Sequence, residues 1–300
     1  MQPQVVVDLT GDSDDDGNNR KLQLGSGSAT DSVSAGSKRK HRRLQMIKNF
    51  FHERGIASGH RSDNCRWSTS QLSALPQSPS AILCNPSTLL FNTTLSDRGW
   101  GCGYRNCQML ISSLMQEAPV SRMPTKAVPQ VRQLQEMLEL SWRDGYDRDG
   151  ADQLDHRAMG TRKWIGTTEI YCILAHLGVR SHIVDFHCAS AADGSHPALF
   201  SWVVEYFTSN KDGERFANRH PLYLQHQGHS RTVVGVDLSN DVCLLVFDPD
   251  VDVTPGREKL SRFRLPLART RRSKQYQILY VEDDCFSQPI PKQISSQRIP

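Results

Sequence analysis

Cys102 lies in the stretch DRGWGCGYRN, residues 97–106, between two glycines and just before an apolar segment with helical spacing. The unpaired amides and the positive dipole end of a helix N-terminus stabilise a thiolate and lower its pKa. Gly101 and Gly103 place no side chain beside the sulfur, so a substrate backbone can approach it closely. These features favour an activated cysteine nucleophile. Most lone cysteines are instead small buried hydrophobes, and that interpretation applies to the cysteines on apolar faces, which are Cys107, Cys172 and Cys243.

A thiolate nucleophile needs a histidine to move protons and a third group to orient that histidine. His229 lies at the mouth of a strand in QHQGHSRTVVGVD, and Asp248 ends the next strand, before Pro249. A hairpin that turns at residues 239–241 brings both side chains to one end of a sheet. Symmetric pairing places Asp248 opposite Thr232, about three residues short of His229, so a bulge or turn adjustment must close the gap. Alternatively, His229 is a polar turn residue and Asp248 a turn former.

Apolar patterning predicts the elements that position these residues. Helical spacing predicts helices at 108–116, 128–145 and 166–178. Apolar runs bounded by turn residues predict strands at 180–186, 221–227, 231–238, 242–248 and 275–282. Because helices come first and strands with antiparallel character follow, we predict an α+β fold.

The composition divides the chain into four segments. Residues 1–43 are rich in Ser, Gly and Asp and poor in aromatics, so we expect a disordered tail. Residues 44–80 are predicted to hold a linear motif or short helix and a linker. Residues 81–284 form the predicted globular domain, and residues 285–300 a C-terminal tail.

Length and composition argue against several classes of protein. The chain has 300 residues, of which 37% are hydrophobic, and this suffices for one sizeable core. No apolar run reaches the roughly 18 residues that a membrane span needs, and the N-terminus lacks a signal-peptide pattern. We therefore predict a soluble protein of a reducing compartment, in which disulfides are not expected. None of the 8 cysteines forms a C-x-x-C pair, so no metal site is predicted, and no cofactor is predicted either. The basic stretch 257–274 is better explained as a solvated loop than as a nucleic-acid site.

Four motifs, GWGCGYRN, KWIGTTEIY, PLYLQHQGHSRTVVGV and LLVFDPD, occur in this order over about residues 85–284. Together they resemble the papain-like peptidase family C78, which includes UFM-specific proteases and a ubiquitin-cleaving branch. In the UFM branch a D-P-H motif holds the catalytic Asp and His, whereas this chain has Asp248-Pro249-Asp250 and offers His229 upstream. The resemblance is therefore to the ubiquitin-cleaving branch. It implies a papain-like fold, in which a helical part that carries the nucleophile packs on an antiparallel sheet.

The resemblance also assigns roles to individual catalytic residues. Cys102 is the implied nucleophile, His229 the general base and then acid, and Asp248 the group that orients the imidazole. Gln225, four residues before the histidine, is the implied side-chain donor to the oxyanion, beside the backbone amide of Cys102. Gln227 lies close enough in sequence to be an alternative donor.

Further positions match those that hold the ubiquitin tail, Leu-Arg-Leu-Arg-Gly-Gly, in the family. Asp147 and Glu169 are implied to bind its arginines through charge-assisted contacts. Trp100 and Gly101 are implied to form a narrow channel for its two glycines. Taken from the residues alone, Asp147 is equally well a loop aspartate, and Glu169 a helix N-terminal acid that interacts favourably with the dipole.

The N-terminal region contains three short motifs that suit binding to other proteins. Val5, Val6, Val7 and Leu9, followed by acids, resemble a SUMO-interacting motif. The basic block KRKHRR, residues 38–43, resembles a nuclear-import signal. Leu44, Ile47, Phe50 and Phe51 fall on one helical face and resemble the motif that binds the DNA sliding clamp, although its usual glutamine is replaced by Leu44. Each motif has an alternative interpretation. The first is a chance apolar tetrad, the second a solvated run of charges, and the third an amphipathic helix packed on the domain.

These expectations combine into a cysteine isopeptidase that removes ubiquitin. The resemblance implies cleavage of polyubiquitin chains joined through lysine sixty-three. The tail motifs predict a protein of the nucleus, with the cytoplasm as a second location, and a role in DNA-damage signalling. They also predict SUMO and the sliding clamp as partners. No binding to membranes or nucleic acids is expected. The alternatives are a protease for UFM or another ubiquitin-like modifier, and a non-catalytic ubiquitin-binding adaptor.

Overall fold

Six α-helices and ten strands make up the part of the chain that the structure, a computed structural model, describes. The described residues are 65–74, 80–117, 127–209, 216–239, 241–253, 259–282, 285–286 and 289–300. The helices are α1 (Thr69–Ala74), α2 (Cys102–Glu117), α3 (Val131–Arg143), α4 (Arg148–Gln153), α5 (Thr167–His176) and α6 (Pro197–Thr208). The three tail motifs, which end at residue 51, lie outside the described residues.

Of the ten strands that the structure describes, three precede α2, one lies between α5 and α6, and six follow α6. They are β1 (Cys65–Ser68), β2 (Ala81–Leu83), β3 (Leu89–Phe91), β4 (Ser181–Phe186), β5 (Leu222–His226), β6 (His229–Asp237), β7 (Cys243–Phe247), β8 (Arg264–Pro266), β9 (Tyr276–Val281) and β10 (Ser296–Ile299). The five predicted strands correspond to β4, β5, β6, β7 and β9, and the three predicted helices to α2, α3 and α5. Among the described residues, no helix combines the length and the apolar character that crossing a bilayer requires.

Eight strands form one sheet in the order β10-β4-β9-β5-β6-β7-β8, with β2 paired to β6, and β1 pairs separately with β3. The pairs are antiparallel, except that β10 runs parallel to β4. In β7 the whole run CLLVF is buried, which explains its unbroken apolar sequence. Four helices, α2 to α5, precede most of the sheet. The predicted α+β fold, with its nucleophile-bearing helix packed on an antiparallel sheet, is confirmed.

Helix α2 lies between two hydrophobic clusters. Met109 packs with the cluster that the sheet forms with α6, whereas Tyr104, Cys107 and Leu110 pack with the cluster formed by α3, α5, β5 and β9. All four side chains are at most 1% exposed. Close-packed side chains therefore fix α2 on both sides, and they fix the position of Cys102 at its first turn.

The β6–β7 hairpin contains the bulge that the sequence requires. Asp237 pairs with Cys243 and Gly235 with Leu245, but the register shifts between Val233 and Gly235. A Cβ atom on Gly235 would lie 2.2 Å from the carbonyl oxygen of Ile82 in β2, so only glycine fits where β2 approaches the bulge. The shift brings the end of β7 one residue closer to the start of β6.

Two segments outside the predicted globular domain also contribute to the fold. The predicted linker includes β1 and α1, whose Trp67 and Leu72 are buried in the sheet-side cluster. The predicted C-terminal tail includes β10, which pairs with β4 at the edge of the sheet. Strands of three or four residues carry too little periodicity to be recognised in a sequence.

Candidate active site

Cys102 is the first residue of α2, and a buried ion pair fixes the loop before it. Asp97 is 2% exposed and Arg105 7%. Arg105 donates to Asp97 through Nε and Nη2, at 2.7 and 2.9 Å, and Asp97 also accepts a bond from the backbone amide of Thr94. The Asp97 carbonyl accepts the amide of Gly101 at 2.8 Å. The ion pair therefore joins the loop before Cys102, through Asp97, to the first turn of the helix after it, through Arg105.

His229 and Asp248 meet as the sequence predicts. His229 Nε2 lies 2.9 Å from Asp248 Oδ1, and both side chains are largely buried. His229 also hydrogen-bonds Cys102, and because its Nε2 is bound to Asp248, we assign that bond to Nδ1. With Thr232 paired to Phe247, Asp248 stands two residues along the ladder from His229, within reach of a diagonal contact on one face of the sheet.

The electrostatics of the site favour a thiolate and an imidazolium. Burial alone would raise the pKa of Cys102, but hydrogen bonds from His229 and Ser230 outweigh burial and lower it below the ordinary value. Burial likewise opposes the charged form of His229, yet the bonds to Asp248 and Cys102 raise the pKa of His229 to about 9. The pKa of Asp248 is lowered because its bond to His229 overcomes its burial. This arrangement can perform nucleophilic acyl transfer.

A buried polar network, which the sequence analysis missed, couples α2 to β6 beneath the cysteine. Asn106 donates through Nδ2 to the Cys102 carbonyl at 2.9 Å and to Ser230 Oγ at 3.0 Å, and it accepts from Thr232 Oγ1 at 2.8 Å. Asn106, Ser230 and Thr232 are fully buried. Because Ser230 Oγ accepts from Asn106, its own proton is available to the sulfur. Two features of the sequence could have identified this network: Asn106 lies one turn after Cys102, and Ser230 lies beside His229.

Arg231 is a second residue that the sequence analysis missed. Its Nε donates to Asp248 Oδ2 at 2.7 Å, so that both carboxylate oxygens are occupied, one by His229 and the other by Arg231. Arg231 Nη1 lies 2.9 Å from His226 Nε2, and burial and the guanidinium together lower the pKa of His226. His226 is thereby kept neutral beside His229, which carries the charge.

Gln225, the predicted oxyanion donor, is half-buried in β5. Its Nε2 donates to the carbonyl of His226 at 2.9 Å, and its Oε1 accepts from the hydroxyl of Tyr223 at 2.6 Å. Tyr223 is fully buried, interacts with Ser230 and feels the charge of Cys102. The structure thus fixes the orientation of the Gln225 amide through Tyr223. The role of Gln225 as oxyanion donor remains a prediction, as does the alternative at Gln227.

The glycines around Cys102 are explained differently from the sequence analysis. A Cβ on Gly101 would lie 2.4 Å from Asp97 Oδ2, and a Cβ on Gly103 would lie 2.6 Å from the carbonyl oxygen of Ile165. The space beside both glycines is filled by the protein's own chain. Their absent side chains therefore allow close packing of the loop and of α2, rather than a substrate's approach on that side.

The predicted channel residue Trp100 packs over the start of α2. Its ring meets Tyr104 edge to face at 5.8 Å, and its Nε1 donates to the carbonyl of Ser96 at 3.2 Å. A second indole, Trp164, is 54% exposed and lies against Gly228 in the turn before His229. Trp164 is an aromatic side chain exposed at the site that the sequence analysis did not single out.

Asp147 and Glu169 form local caps at the starts of α4 and α5; for Glu169 this is the helix N-terminal position that its alternative interpretation predicted. Asp147 Oδ1 accepts the amide of Gly150 at 3.1 Å, and Glu169 Oε2 accepts that of Gly166 at 2.7 Å. However, Asp147 Oδ2 is buried without a hydrogen-bond partner. Burial, and secondarily the charge of Asp147, raises the pKa of Glu169, while burial raises the pKa of Asp147. Buried carboxylates with raised pKa values, one of them raised partly by the charge of the other, form a site that a cation would stabilise.

Three ligand-type atoms lie close enough together to hold a cation. One atom each from His229, Asp248 and Asp250 lies within 4.8 Å of the others. His229 Nε2 and Asp248 Oδ1 are, however, hydrogen-bonded to one another. The hydrogen bond between His229 and Asp248 therefore accounts for the closeness of two of the three atoms.

Comparison with known proteins gives one consistent family. The profile of Peptidase family C78 matches residues 77–279. Zinc finger-containing ubiquitin peptidase 1 of Homo sapiens is 41% identical over 210 residues, 64% of this chain and 36% of that protein. Ubiquitin carboxyl-terminal hydrolase mug105 of Schizosaccharomyces pombe is 37% identical over 203 residues, 65% of this chain and 80% of that protein.

A solved structure, that of UfSP from C. elegans, matches with a TM-score of 0.48 at 19% identity, over 75% of this chain and 39% of the other. The chain spans about a third of the length of the zinc-finger-containing relatives that it matches. The family profile covers about two thirds of the chain and includes Cys102, His229 and Asp248. The chain belongs to peptidase family C78.

Proposed function

We propose that this protein is a deubiquitinating cysteine isopeptidase. The observation that carries the proposal is the arrangement of Cys102, His229 and Asp248, in which the histidine bonds both the thiol and a buried carboxylate. The similarity to two proteins whose names describe ubiquitin hydrolysis supports ubiquitin as the acyl group.

The reaction follows from the site. The Cys102 thiolate attacks the carbonyl carbon of the isopeptide bond, and the negative oxygen formed there accepts bonds from the Cys102 amide and Gln225. The carbon–nitrogen bond breaks as His229 gives its proton to the leaving amine. A water molecule then loses a proton to His229 and attacks the thioester, which releases the ubiquitin carboxylate and restores Cys102. Throughout the reaction Asp248 holds the imidazole and stabilises its positive charge.

The acidic pair Asp147 and Glu169 supports the choice of acyl group. The ubiquitin tail carries two arginines before its Gly-Gly end, and a guanidinium placed between two carboxylates gains charge-assisted hydrogen bonds. Asp147 Oδ2 offers a buried acceptor that has no partner within the described chain. We propose that this oxygen accepts from a substrate arginine, while Trp100 and Trp164 line the path of the glycines.

Probes of ubiquitin, UFM, SUMO and NEDD8 that carry an electrophile at the C-terminus test this function. We expect the ubiquitin probe to label the protein, labelling to disappear in Cys102→Ala, and labelling to persist in Cys188→Ala, which removes an exposed cysteine elsewhere. Preferential labelling by the UFM probe would show that UFM, rather than ubiquitin, is the substrate. The absence of any labelling would instead support a ubiquitin-binding adaptor.

The linkage and the location of the protein are further parts of the proposal. We propose that it cleaves chains joined through lysine sixty-three in the nucleus, during DNA-damage signalling, brought there by the N-terminal motifs. A panel of chains of each linkage, with Cys102→Ala as control, tests the first part. Deletion of residues 1–51 tests the second: we expect loss of nuclear accumulation and of SUMO and clamp binding, and unchanged binding and location would refute it.

A further inference from the structure

Asp250 stands beside the atom that must release the proton to the leaving group. Its Oδ2 lies 3.7 Å from His229 Nδ1. Nδ1 is the nitrogen that remains for proton transfer, since Nε2 is bound to Asp248. The leaving nitrogen has to come within hydrogen-bond distance of Nδ1. Asp250 is therefore close to any amine that departs from this site.

Asp250 is held in place by contacts that leave this oxygen facing the imidazole. Its Oδ1 accepts from Thr93 Oγ1 at 2.8 Å, and its backbone amide donates to Asp248 Oδ1 at 3.1 Å. The carbonyl of Pro249 accepts the amide of Thr93 at 2.9 Å. The segment after β3 thus clamps the Asp248-Pro249-Asp250 turn and fixes the side chain of Asp250 relative to His229.

Asp250 lines an open groove. The groove has a volume of about 570 Å³, and Thr94, Leu95, Arg98, Pro249, Asp250 and Asp252 are among its lining residues. Leu95 is 87% exposed, which is unusual for a large apolar side chain. The groove therefore combines the apolar side chain of Leu95 with the carboxylate of Asp250, which faces His229. These are the two features that suit a lysine side chain, which has a four-carbon stem and an ammonium head.

We propose that this groove binds the acceptor side of the isopeptide bond and that Asp250 is the residue that binds the lysine amine as it leaves. The assignment rests on the proposed function, because it takes an isopeptide bond to lysine as the substrate. When the carbon–nitrogen bond breaks, the proton on His229 Nδ1 passes to the lysine nitrogen, which departs as a neutral amine. As the nitrogen accepts this proton it carries positive charge until the carbon–nitrogen bond is broken, and Asp250 Oδ2, beside His229 Nδ1, stabilises that charge. The released amine then takes a second proton from water, and the ammonium formed pairs with the same oxygen. The stem of the lysine packs along Leu95.

The test compares two substrates with the same ubiquitin acyl group and different leaving amines. One is ubiquitin joined to a fluorescent peptide through a lysine side chain, and the other is the ubiquitin amide of an aminocoumarin, whose aromatic amine stays uncharged. Asp250→Asn removes the charge but keeps an acceptor for Thr93. We expect the ratio of kcat/KM for the lysine substrate to that for the coumarin amide to fall about tenfold, the size of effect expected for a bond to a charged group.

Asp241→Asn is the matched control, since Asp241 is an exposed aspartate before the other end of β7 and its loss changes the net charge equally. The ratio is expected to stay unchanged in this variant. An unchanged ratio in Asp250→Asn would overturn the proposal, whether neither rate falls or both fall together, because a common fall means that Asp250 acts through His229. If the wild-type protein cleaves neither substrate, the proposed function fails and this assignment fails with it.

A second measurement reads acceptor binding directly. The thioester formed from the coumarin amide is offered the methylamide of acetyl-lysine, whose deprotonated amine can attack the thioester carbon, form an amide and release the Cys102 thiol. We expect Asp250→Asn to lower, about tenfold, the fraction of ubiquitin transferred to lysine rather than to water. Equal partitioning in wild type and variant would contradict a lysine site at Asp250.

Discussion

Cys102 owes its chemistry to its two immediate partners, His229 and Ser230. A thiol buried to this degree would ordinarily be less acidic than in water, but these two bonds reverse the effect. Cys107, which lies on the same helix without such bonds, has its pKa raised by complete burial. The difference between the two thiols therefore comes from the hydrogen bonds and the charge beside Cys102 and from the complete burial of Cys107 on the same helix.

Replacing His229 tests this explanation. In the wild-type protein we expect iodoacetamide to alkylate Cys102 with a pH midpoint below the ordinary thiol pKa of 9.0, because the lowered pKa keeps the thiolate populated. In His229→Gln the imidazolium is lost and burial is opposed by Ser230 alone, so the midpoint should move upward. Peptide-resolved mass spectrometry measures both midpoints. Exposed Cys188 serves as internal control, and identical Cys102 midpoints in the two proteins would contradict the explanation.

Helix α2 shows most clearly how far the sequence could predict an element. The apolar spacing of 108–116 predicted its second half, but the helix begins at Cys102. The first five residues include Arg105 and Asn106, which local patterning assigns to solvent. Arg105 is buried because the preceding loop supplies Asp97, and Asn106 because Ser230 and Thr232 satisfy it from a distant part of the chain. The triad could be found from its motifs, whereas these buried partners carry no spacing signal.

The close approach of α2 to the residues before α5 predicts a steep cost for filling Gly103. In Gly103→Ala the new Cβ meets backbone at the Ile165 carbonyl, so the helix or its neighbour must shift. We expect a loss of about 1–3 kcal/mol of stability, as for overpacked cores, and a fall in activity of at least tenfold because Cys102 moves relative to His229. Denaturant unfolding and turnover of a ubiquitin substrate measure the two effects.

Gly166→Ala is the control for the effect on stability. Its Cβ would find side-chain atoms at 3.7 Å and beyond, which is ordinary contact. Its unfolding midpoint should fall by less than that of Gly103→Ala, since only the preference of the α5 N-cap for glycine over alanine is lost. If Gly103→Ala is as stable and as active as the wild type, the close packing between α2 and Ile165 has no part in positioning the cysteine.

On the scale of the whole molecule, the C-terminal residues join the helical part of the molecule to the sheet. Strand β10 covers the β4 edge, the Tyr171 hydroxyl of α5 donates to the carbonyl of Pro291 at 2.8 Å, and Lys292 Nζ donates to the carbonyl of Asp144 at 2.7 Å. The sequence suggested only a tail here. A four-residue parallel edge strand owes its pairing to β4, so its own sequence gave no sign of it.

Removal of residues 289–300 tests this role. The truncated protein should expose the hydrogen-bonding groups of β4 and lose the two ties to the helices, so we expect a lower Tm and association of the exposed edges. Thermal melting and size-exclusion chromatography measure these effects. Ser296→Ala, in an exposed residue that leaves the backbone pairing intact, is the control. A truncated protein with unchanged Tm and a single monomer peak would show that the C-terminal strand adds nothing.

The position of α2 between two interiors has a practical consequence for anyone who handles this protein. Cys102 and Cys107 are five residues apart on one helix, the first open to reagents and the second sealed until the helix separates from its neighbours. Labelling at Cys102 thus counts competent molecules, and labelling at Cys107 counts molecules whose interior has opened. Mass spectrometry of one labelled and digested sample would therefore report both the fraction of molecules with a reactive Cys102 and the fraction whose interior has unfolded. No added dye or engineered reporter is needed.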